Sequence, residues 1–317
     1  MWRVKVITAV VAVRSLEEEE KVITNLQAYP FEEIILAQGQ NPSLQRNMAV
    51  KEAQGDIIYF FDDDSVLQPG GVESVLEAFQ SDASAAVCGG PALTPDTDSR
   101  IQKSFGAVLS SSWASAKSSA RYKKAGNKRY TGEHEMILCN MAVKKDVFNN
   151  MNGFREDLYP NEENEFLTRV SSSGAKIVYE PKAAVQRSAR HDYTAFVKQC
   201  FNYGRGRGEQ AVISFDNSAM MNFVPALFVL YLLFAAVTGG GIFISIPFFV
   251  YLALTLAFSY EAAVQLNDIP FIPFIFLCFF TLHLCYGAGT IFGLARAITG
   301  NKPEIVSEVK LKTIRKA

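Results

Sequence analysis

The stretch Ile57-Ile58-Tyr59-Phe60-Phe61-Asp62-Asp63-Asp64-Ser65 decides how the rest of the chain is read. A continuous apolar run of this length is a strand buried on both faces, and here it ends abruptly in three carboxylates. Side chains alternate along a strand, so Asp62 and Asp64 project to one side and Asp63 to the other. In open α/β sheets, ligands bind at the carboxyl ends of the strands. Two carboxylates on one side there suit a divalent cation that also holds phosphate oxygens: hard ligands, few in number, with positions left for a substrate. The plainer alternative is a solvated acidic turn, although three adjacent like charges repel without a counter-ion.

The segments around this strand alternate in type. Upstream, residues 4–13 are strand-like, and Ser15 with Glu18 three residues on forms a capping box for a helix through Leu26. Glu17–Glu20 is the solvated first turn of that helix, favoured by its dipole. A short strand at 33–37, a Gly/Asn/Pro turn and a helix from Ser43 to about Gln54 follow, and Gly55 ends the helix. This βαβαβ order predicts an α/β fold with a largely parallel sheet and helices on both faces. Downstream, the pattern predicts a helix over 70–80, strands at 85–89 and 137–143, a helix over 144–150, a second helix from about Asn161, and a closing strand at 176–179. The Ser/Ala-rich residues 110–119 and the basic 121–129 read as a mobile surface loop, with a substrate-gating loop as the alternative.

Composition bounds the function classes. The chain has 317 residues with 31 Lys+Arg against 32 Asp+Glu, so no net charge draws it to nucleic acid. An apolar content of 49% excludes a disordered chain. Five cysteines without CxxC spacing point to neither a zinc site nor a disulfide framework but to reduced thiols facing a cytosol. The N-terminal apolar run lacks a small-residue cleavage site and reads as a strand, not a signal peptide. Between Asn222 and Ala295 the only charged residues are Glu261 and Asp268. A soluble domain keeps a wetted face, whereas a bilayer accepts such a stretch. Three apolar segments are visible, roughly 223–237, 241–259 and 269–294. Basic residues flank them on both sides (Arg205 and Arg207 before; Lys310, Lys312, Arg315 and Lys316 after), while the loop with Glu261 and Asp268 is acidic. The positive-inside rule then asks for an even number of crossings, with one segment interfacial or re-entrant. The expected organisation is a catalytic domain over 1–215, a membrane domain of two to four hydrophobic helices over 216–300, and a basic tail over 301–317.

Three further constellations carry chemistry. In Tyr159-Pro160-Asn161-Glu162-Glu163-Asn164-Glu165, Asn161 caps a helix whose first-turn carboxylates oppose the macrodipole. A catalytic reading needs one of Glu162 and Glu163 near the metal, as general base on an acceptor hydroxyl. In Asn41-Pro42-Ser43-Leu44-Gln45-Arg46-Asn47, Arg46 and Asn47 sit near a helix N-terminus, which suits an anionic group or serves simply as a cap. In Gln199-Cys200-Phe201-Asn202-Tyr203-Gly204-Arg205-Gly206-Arg207-Gly208, alternating Gly and Arg give a flexible backbone with guanidinium forks matched to phosphate oxygens. A juxtamembrane basic loop is the compatible alternative. His191 is a candidate third metal ligand, although a lone His is more often structural.

Taken in order, Gln45-Arg46-Asn47, Gly55-Asp56, the apolar strand into Asp62-Asp63-Asp64, Asn152-Gly153-Phe154, Glu162-Glu163, Gln199 and Tyr203-Gly204-Arg205-Gly206-Arg207 resemble the family 2 glycosyltransferases. The nearest type is the membrane-anchored bacterial one of exopolysaccharide and lipid-linked glycan synthesis. The resemblance covers about residues 4–210. It implies a GT-A fold (Rossmann-like, with a mostly parallel sheet), a nucleotide-diphosphate sugar donor, Mg²⁺ or Mn²⁺, and inversion at the anomeric carbon. Carried over by motif, Asp62 and Asp64 are the DxD pair, with Asp64 the more direct ligand. Glu163 stands where the family's base is normally Asp, with Glu162 beside it as the alternative. Arg205 and Arg207 occupy the place of the element that handles the donor diphosphate. Asn202 and Tyr203 depart from that element's Arg-Trp form, which favours single transfer over processive polymerisation. Donor contacts are further expected from Arg46, Asn47, Asp63, the first strand's end at Val11 and Val13, and Gln38 at the second strand's end. The first strand lacks the usual Pro-x-Asn, and the second ends Ala37-Gln38-Gly39 where Asp-Asp-Gly is common. The implied partners are a nucleotide sugar, a lipid-linked (polyprenyl-type) acceptor and the cytoplasmic face of the inner membrane. A metal-dependent nucleotidyltransferase and an inactive sugar-nucleotide-binding membrane scaffold are the competing readings.

Overall fold

The computed structural model describes residues 6–15, 19–214, 217–300 and 308–315. Glu17, Glu18, Lys316 and part of the expected basic tail lie outside them. In chain order the elements begin β1 (Ile7–Val13), α1 (Glu19–Gln27), β2 (Glu33–Gln38), α2 (Pro42–Glu52), β3 (Ile57–Asp62), β4 (Ser65–Leu67), α3 (Gly71–Ser81), β5 (Ala85–Gly89) and β6 (Ala92–Leu93). Next come α4 (Arg100–Ser110), α5 (Ser112–Ser115), β7 (Arg129–Thr131), β8 (Asn140–Lys144), α6 (Lys145–Asn150), α7 (Glu162–Ser172), β9 (Lys176–Tyr179) and β10 (Val185–Arg187). The chain closes with α8 (Tyr193–Ile213), α9 (Val224–Val237), α10 (Ile242–Gln265), α11 (Ile272–Thr299) and β11 (Lys310–Arg315). Two compact units result: residues 1–95, 120–188 and 303–317 form one, and residues 96–119 and 189–302 the other. The sequence had placed a boundary at 215/216, so α8 groups with the apolar helices and residues 303–317 group with the sheet.

The first unit is built on an eight-stranded sheet of order β11-β2-β1-β3-β8-β5-β9-β7. The expected βαβαβ order gives the parallel set β2-β1-β3. The whole sheet is mixed rather than mostly parallel, because β8 runs antiparallel to both β3 and β5, as does β7 to β9. The apolar run of β3 is buried on both faces, as its composition requires. Tyr59 and Phe61 pack with Phe31 and Leu26 on one face, while Ile58 and Phe60 pack with Phe148, Phe154 and Phe166 on the other. Each of these fully buried aromatic side chains contributes on the order of 2–3 kcal/mol by area alone. The Tyr59 hydroxyl donates to Asn140 Oδ1 at 2.7 Å, which satisfies the polar tip inside this core. A second, three-stranded sheet of order β4-β10-β6 sits at the end of β3. β11 pairs antiparallel with β2, from Lys310 opposite Gln38 to Arg315 opposite Glu33, and covers an edge that would otherwise be open.

The second unit contains α4, α5, α8, α9, α10 and α11. The segment expected as a mobile loop at 110–119 is helical over much of its length, and Trp113 is packed against Tyr251, Phe258 and His283. Among the described residues, three helices are long and apolar enough to cross a membrane: Met220–Val237, Ile242–Gln265 and Ile269–Thr299. The Gly/Arg motif is not a flexible loop either. It lies inside the 21-residue helix α8, and the glycines are contact points with α11. A Cβ on Gly204 would stand 1.9 Å from the Tyr286 carbonyl oxygen, and one on Gly208 would stand 2.3 Å from that of Thr290. From α11, Gly289 and Gly293 meet the Phe201 and Arg205 carbonyls in the same way.

Candidate active site

The parallel strands β1, β2 and β3 end side by side at Val13, Gln38 and Asp62, with Ala12 in register with both Ala37 and Asp62. Gln45, buried on α2, ties two of these ends together: its Nε2 donates to the carbonyls of Val13 (2.9 Å) and Ala37 (2.5 Å). Asn41 starts α2 as a true cap, its Oδ1 accepting from the backbone N–H of Ser43 and Leu44. The helix thereby delivers Arg46 to the edge where β3 turns acidic.

Arg46 is 5% exposed, and its guanidinium joins two carboxylates: Nη2 donates to Asp62 Oδ1 at 2.9 Å and Nη1 to Glu162 Oε1 at 3.0 Å. This single residue connects the end of β3 to the first turn of α7. Asp62 and Asp64 project to one side, as the alternation predicts, because one guanidinium reaches both: Arg187 Nη2 lies 3.0 Å from Asp62 Oδ2 and Arg187 Nε 2.8 Å from Asp64 Oδ1. Arg187 arrives through the small sheet, where it is in register with Ser65. Asp63 is exposed, and its carboxyl is raised by partial burial first and by Asp64 and Asp62 next.

The two neighbouring glutamates of α7 differ sharply. Glu162 is 2% exposed, and burial first and Glu163 next push its carboxyl up to about 8, against the opposing pull of Arg46. Glu163 is half-buried, reachable by a ligand, and accepts from Asn164 Nδ2 at 3.2 Å. Asn161 precedes the helix in a left-handed conformation (φ 103°), and its side chain accepts from Asn164 Nδ2 rather than capping the helix. The expected side-chain cap is therefore replaced by a side-chain pair within the turn.

Other expected site residues are employed differently. Asn47 is a structural clamp: its amide and carbonyl exchange hydrogen bonds with the Phe154 backbone (2.8 and 2.9 Å), and it also reaches Glu156. Val11 and Val13 have core-buried side chains, so only their backbone faces the edge, and Gln38 donates to the Arg14 carbonyl at 3.4 Å. His191 has a largely exposed side chain and pairs with its neighbour Asp192 at 2.8 Å. Among the described residues no group of three or more His, Cys, Asp or Glu side chains is arranged to hold a metal ion, so Asp62 and Asp64 stand as a pair rather than as part of the expected trio with His191. In the second unit Arg207 is buried and donates to Gln210 at 3.1 Å. There Glu209, 2% exposed, takes ion pairs from Arg205 (3.8 Å) and Arg296 (3.3 Å). These guanidiniums are engaged by the α8–α11 pair. Sequence reasoning missed Arg187, whose role depends on a cross-strand register that local pattern does not display.

The acidic pair fits a divalent cation. Its donors are hard oxygens, the Asp64 side chain is 44% exposed, and the arginine that spans both carboxylates, Arg187, stands on a three-residue strand, while Arg46 pairs with Asp62 alone.

Residues 14–151 match the family model described as Glycosyl transferase family 2, a span that holds Arg46, Asp62, Asp63 and Asp64 and ends ahead of Glu162 and Glu163. This stretch, under half of the chain, is similar to glycosyl transferase family 2. No curated protein matches the chain in sequence. Among solved structures, the chain is similar to the mannosyltransferase PcManGT from Pyrobaculum calidifontis, solved with GDP-Man and Mn²⁺. The TM-score is 0.58 at 12% identity, over 94% of this chain and 88% of that one. At that identity the likeness establishes a shared GT-A fold. GalNAc-T7, solved with UDP, GalNAc and Mn²⁺, is more distant, with a TM-score of 0.40 and 9% identity over 68% of this chain and 52% of that one.

Proposed function

We propose that this chain is a family 2 glycosyltransferase that moves a sugar, with inversion, from a nucleotide-diphosphate donor to a hydroxyl of a lipid-linked acceptor at the cytoplasmic face of the inner membrane. The observation that carries the reading is the Arg46 bridge, which couples the acidic end of β3 to the glutamates of α7. The fold shared with a mannosyltransferase solved with GDP-Man and Mn²⁺ supports the donor class, and the three long apolar helices support the membrane setting.

Asp62 and Asp64 would hold a Mg²⁺ or Mn²⁺ ion, which when bound supplies positive charge beside the donor diphosphate. The remaining roles belong to the chain itself. Glu163, the accessible member of the glutamate pair, takes the proton from the acceptor hydroxyl as its oxygen bonds to the anomeric carbon. The bond from that carbon to the diphosphate oxygen breaks on the opposite face, and the nucleoside diphosphate leaves with the electron pair. Glu162 is the positioning residue: buried and held by Arg46, it fixes the first turn of α7 and hence its neighbour. Arg46 and Arg187 keep the carboxylates of β3 in place. The first-strand backbone at Val11 and Val13, with Gln38, borders the donor.

The test is release of nucleoside diphosphate from a panel of nucleotide sugars with Mg²⁺ or Mn²⁺. Turnover that falls by about 10²-fold or more in Asp64→Asn supports the assignment. Undiminished turnover overturns it, and release of pyrophosphate instead would reassign the chain as a nucleotidyltransferase.

A further inference from the structure

The apolar helices offer three segments of spanning length, yet the chain leaves the large sheet before them and rejoins the same sheet after them. β9 is the last strand of that sheet before α8, with β10 of the small sheet between them, and β11 pairs along its whole length with β2. A hydrogen-bonded sheet cannot be divided by a bilayer, because unpaired backbone groups have no partners in hydrocarbon. Both ends of the segment therefore lie in one compartment, and the number of crossings is even. One of the three helices does not cross.

The contacts inside the second unit identify which one. The turn between α10 and α11 is held by Arg100, whose Nε and Nη2 donate to Asp268 at 2.5 and 2.6 Å, with the guanidinium 3.9 Å above the Phe271 ring. Arg100 opens α4, a few residues beyond Pro95, the last residue before the chain leaves the sheet-bearing unit. No helix between Pro95 and Arg100 takes the chain across a bilayer. α4 is itself 11 residues, about 17 Å at 1.5 Å per residue, against about 30 Å of hydrocarbon.

A second tether is independent of the first. The Tyr193 hydroxyl meets Thr281 Oγ1 at 2.5 Å, and Phe196 on α8 stacks on Phe105 of α4, which also touches Phe274 of α11. Tyr193 begins α8 shortly after β10. That helix carries Lys198, Arg205, Arg207 and Glu209, so it is no membrane span itself, and α11 lies flush against it through the glycine contacts.

We propose that α11, although the longest apolar helix, stays on the catalytic face of the membrane, and that the bilayer takes up the α9–α10 hairpin alone. The inserted partner surface is lipid. Val237, Ile242 and Phe243, which flank the tip, are 76% or more exposed in a segment without a charge. In the second half of α10 one face is packed, with Thr255, Ser259, Ala262 and Ala263 buried, while Leu256, Tyr260 and Val264 on the other are exposed. This topology rests on the membrane setting proposed above and not on the transferase chemistry.

The experiment is labelling by a membrane-impermeant maleimide in sealed vesicles of both orientations, using full-length Gln265→Cys beside the α10–α11 turn and Ala83→Cys as the reference on the catalytic unit. The expected result is that both react from the same side. Reaction of Gln265→Cys from the opposite side, or from neither side, overturns the proposal, as does recovery of the wild-type chain in the soluble fraction. A protease-cleavable tag after Ala317 supplies a second readout that needs no substitution: cleavage is expected from the same side as Ala83→Cys, and cleavage from the other side overturns the even count. Neither readout depends on turnover, so loss of the transferase reading would leave the topology result intact.

Discussion

At the residue scale the glutamate pair of α7 separates positioning from chemistry by burial. The folded carboxyl of Glu162 holds its proton up to about 8, against an ordinary value of 4.5. Between those two values the folded chain binds more protons than the unfolded one, so stability falls as pH rises across that window and levels off above it. Thermal unfolding should therefore show a melting temperature that drops between about pH 5 and about pH 8.5, and the drop should be smaller in Glu162→Gln. A drop of equal size in the variant would remove Glu162 as its source. The kinetic signature is separate. Glu163→Gln should lose about 10²–10⁴-fold in kcat, measured as nucleoside diphosphate release. Glu162→Gln should keep a larger share of kcat, since it touches no reacting atom. The acidic pair itself was legible from the strand alternation, whereas Arg187 was not: it lies 123 residues beyond Asp64 in the chain and meets Asp62 and Asp64 only because β10 pairs with β4.

At the element scale the same residue types served a purpose other than the one their pattern suggested. Gly204-Arg205-Gly206-Arg207-Gly208 reads locally as a flexible, phosphate-seeking loop, because glycine is the default residue wherever a backbone must bend. In the fold glycine is used for its missing side chain instead, allowing α8 and α11 to approach until carbonyl oxygens occupy the space of a Cβ. That use becomes visible only once the partner helix is known, and nothing in either helix alone distinguishes it. Substituting Gly204 or Gly293 by Val should separate the pair and cost about 1–3 kcal/mol or more through overpacking. Gly241→Ala, whose added carbon meets nothing within 4 Å, should be neutral. Melting of the three variants in detergent checks the contrast, and equal melting temperatures would show that the α8–α11 contact is not tight.

At the scale of the whole molecule the βαβαβ start and the apolar C-terminal third were both readable from periodicity and charge, and both are local signals. What escaped was every connection over a long sequence distance. Residues 301–317 read as a basic tail because Lys310, Lys312 and Arg315 alternate with Leu311, Thr313 and Ile314, a pattern too short and too polar to announce an edge strand by itself. Its meaning lies in the partner: β2 would otherwise be an edge of buried, apolar composition, Glu33-Ile34-Ile35-Leu36-Ala37-Gln38, and charged residues on an added outer strand are the usual protection of such an edge. Arg315 also reaches Glu33 Oε1 at 3.0 Å, and Glu33 Oε2 in turn accepts from Thr8 on β1, so the last strand is bound into the innermost hydrogen-bond network of the sheet. A chain ending at Gly300 should therefore keep all three apolar helices and the acidic site, yet expose β2. The expected outcome is a lower melting temperature together with self-association detected by light scattering of the detergent-purified protein. A truncated chain that melts and scatters like the full-length protein would mean that β11 carries neither stability nor edge protection.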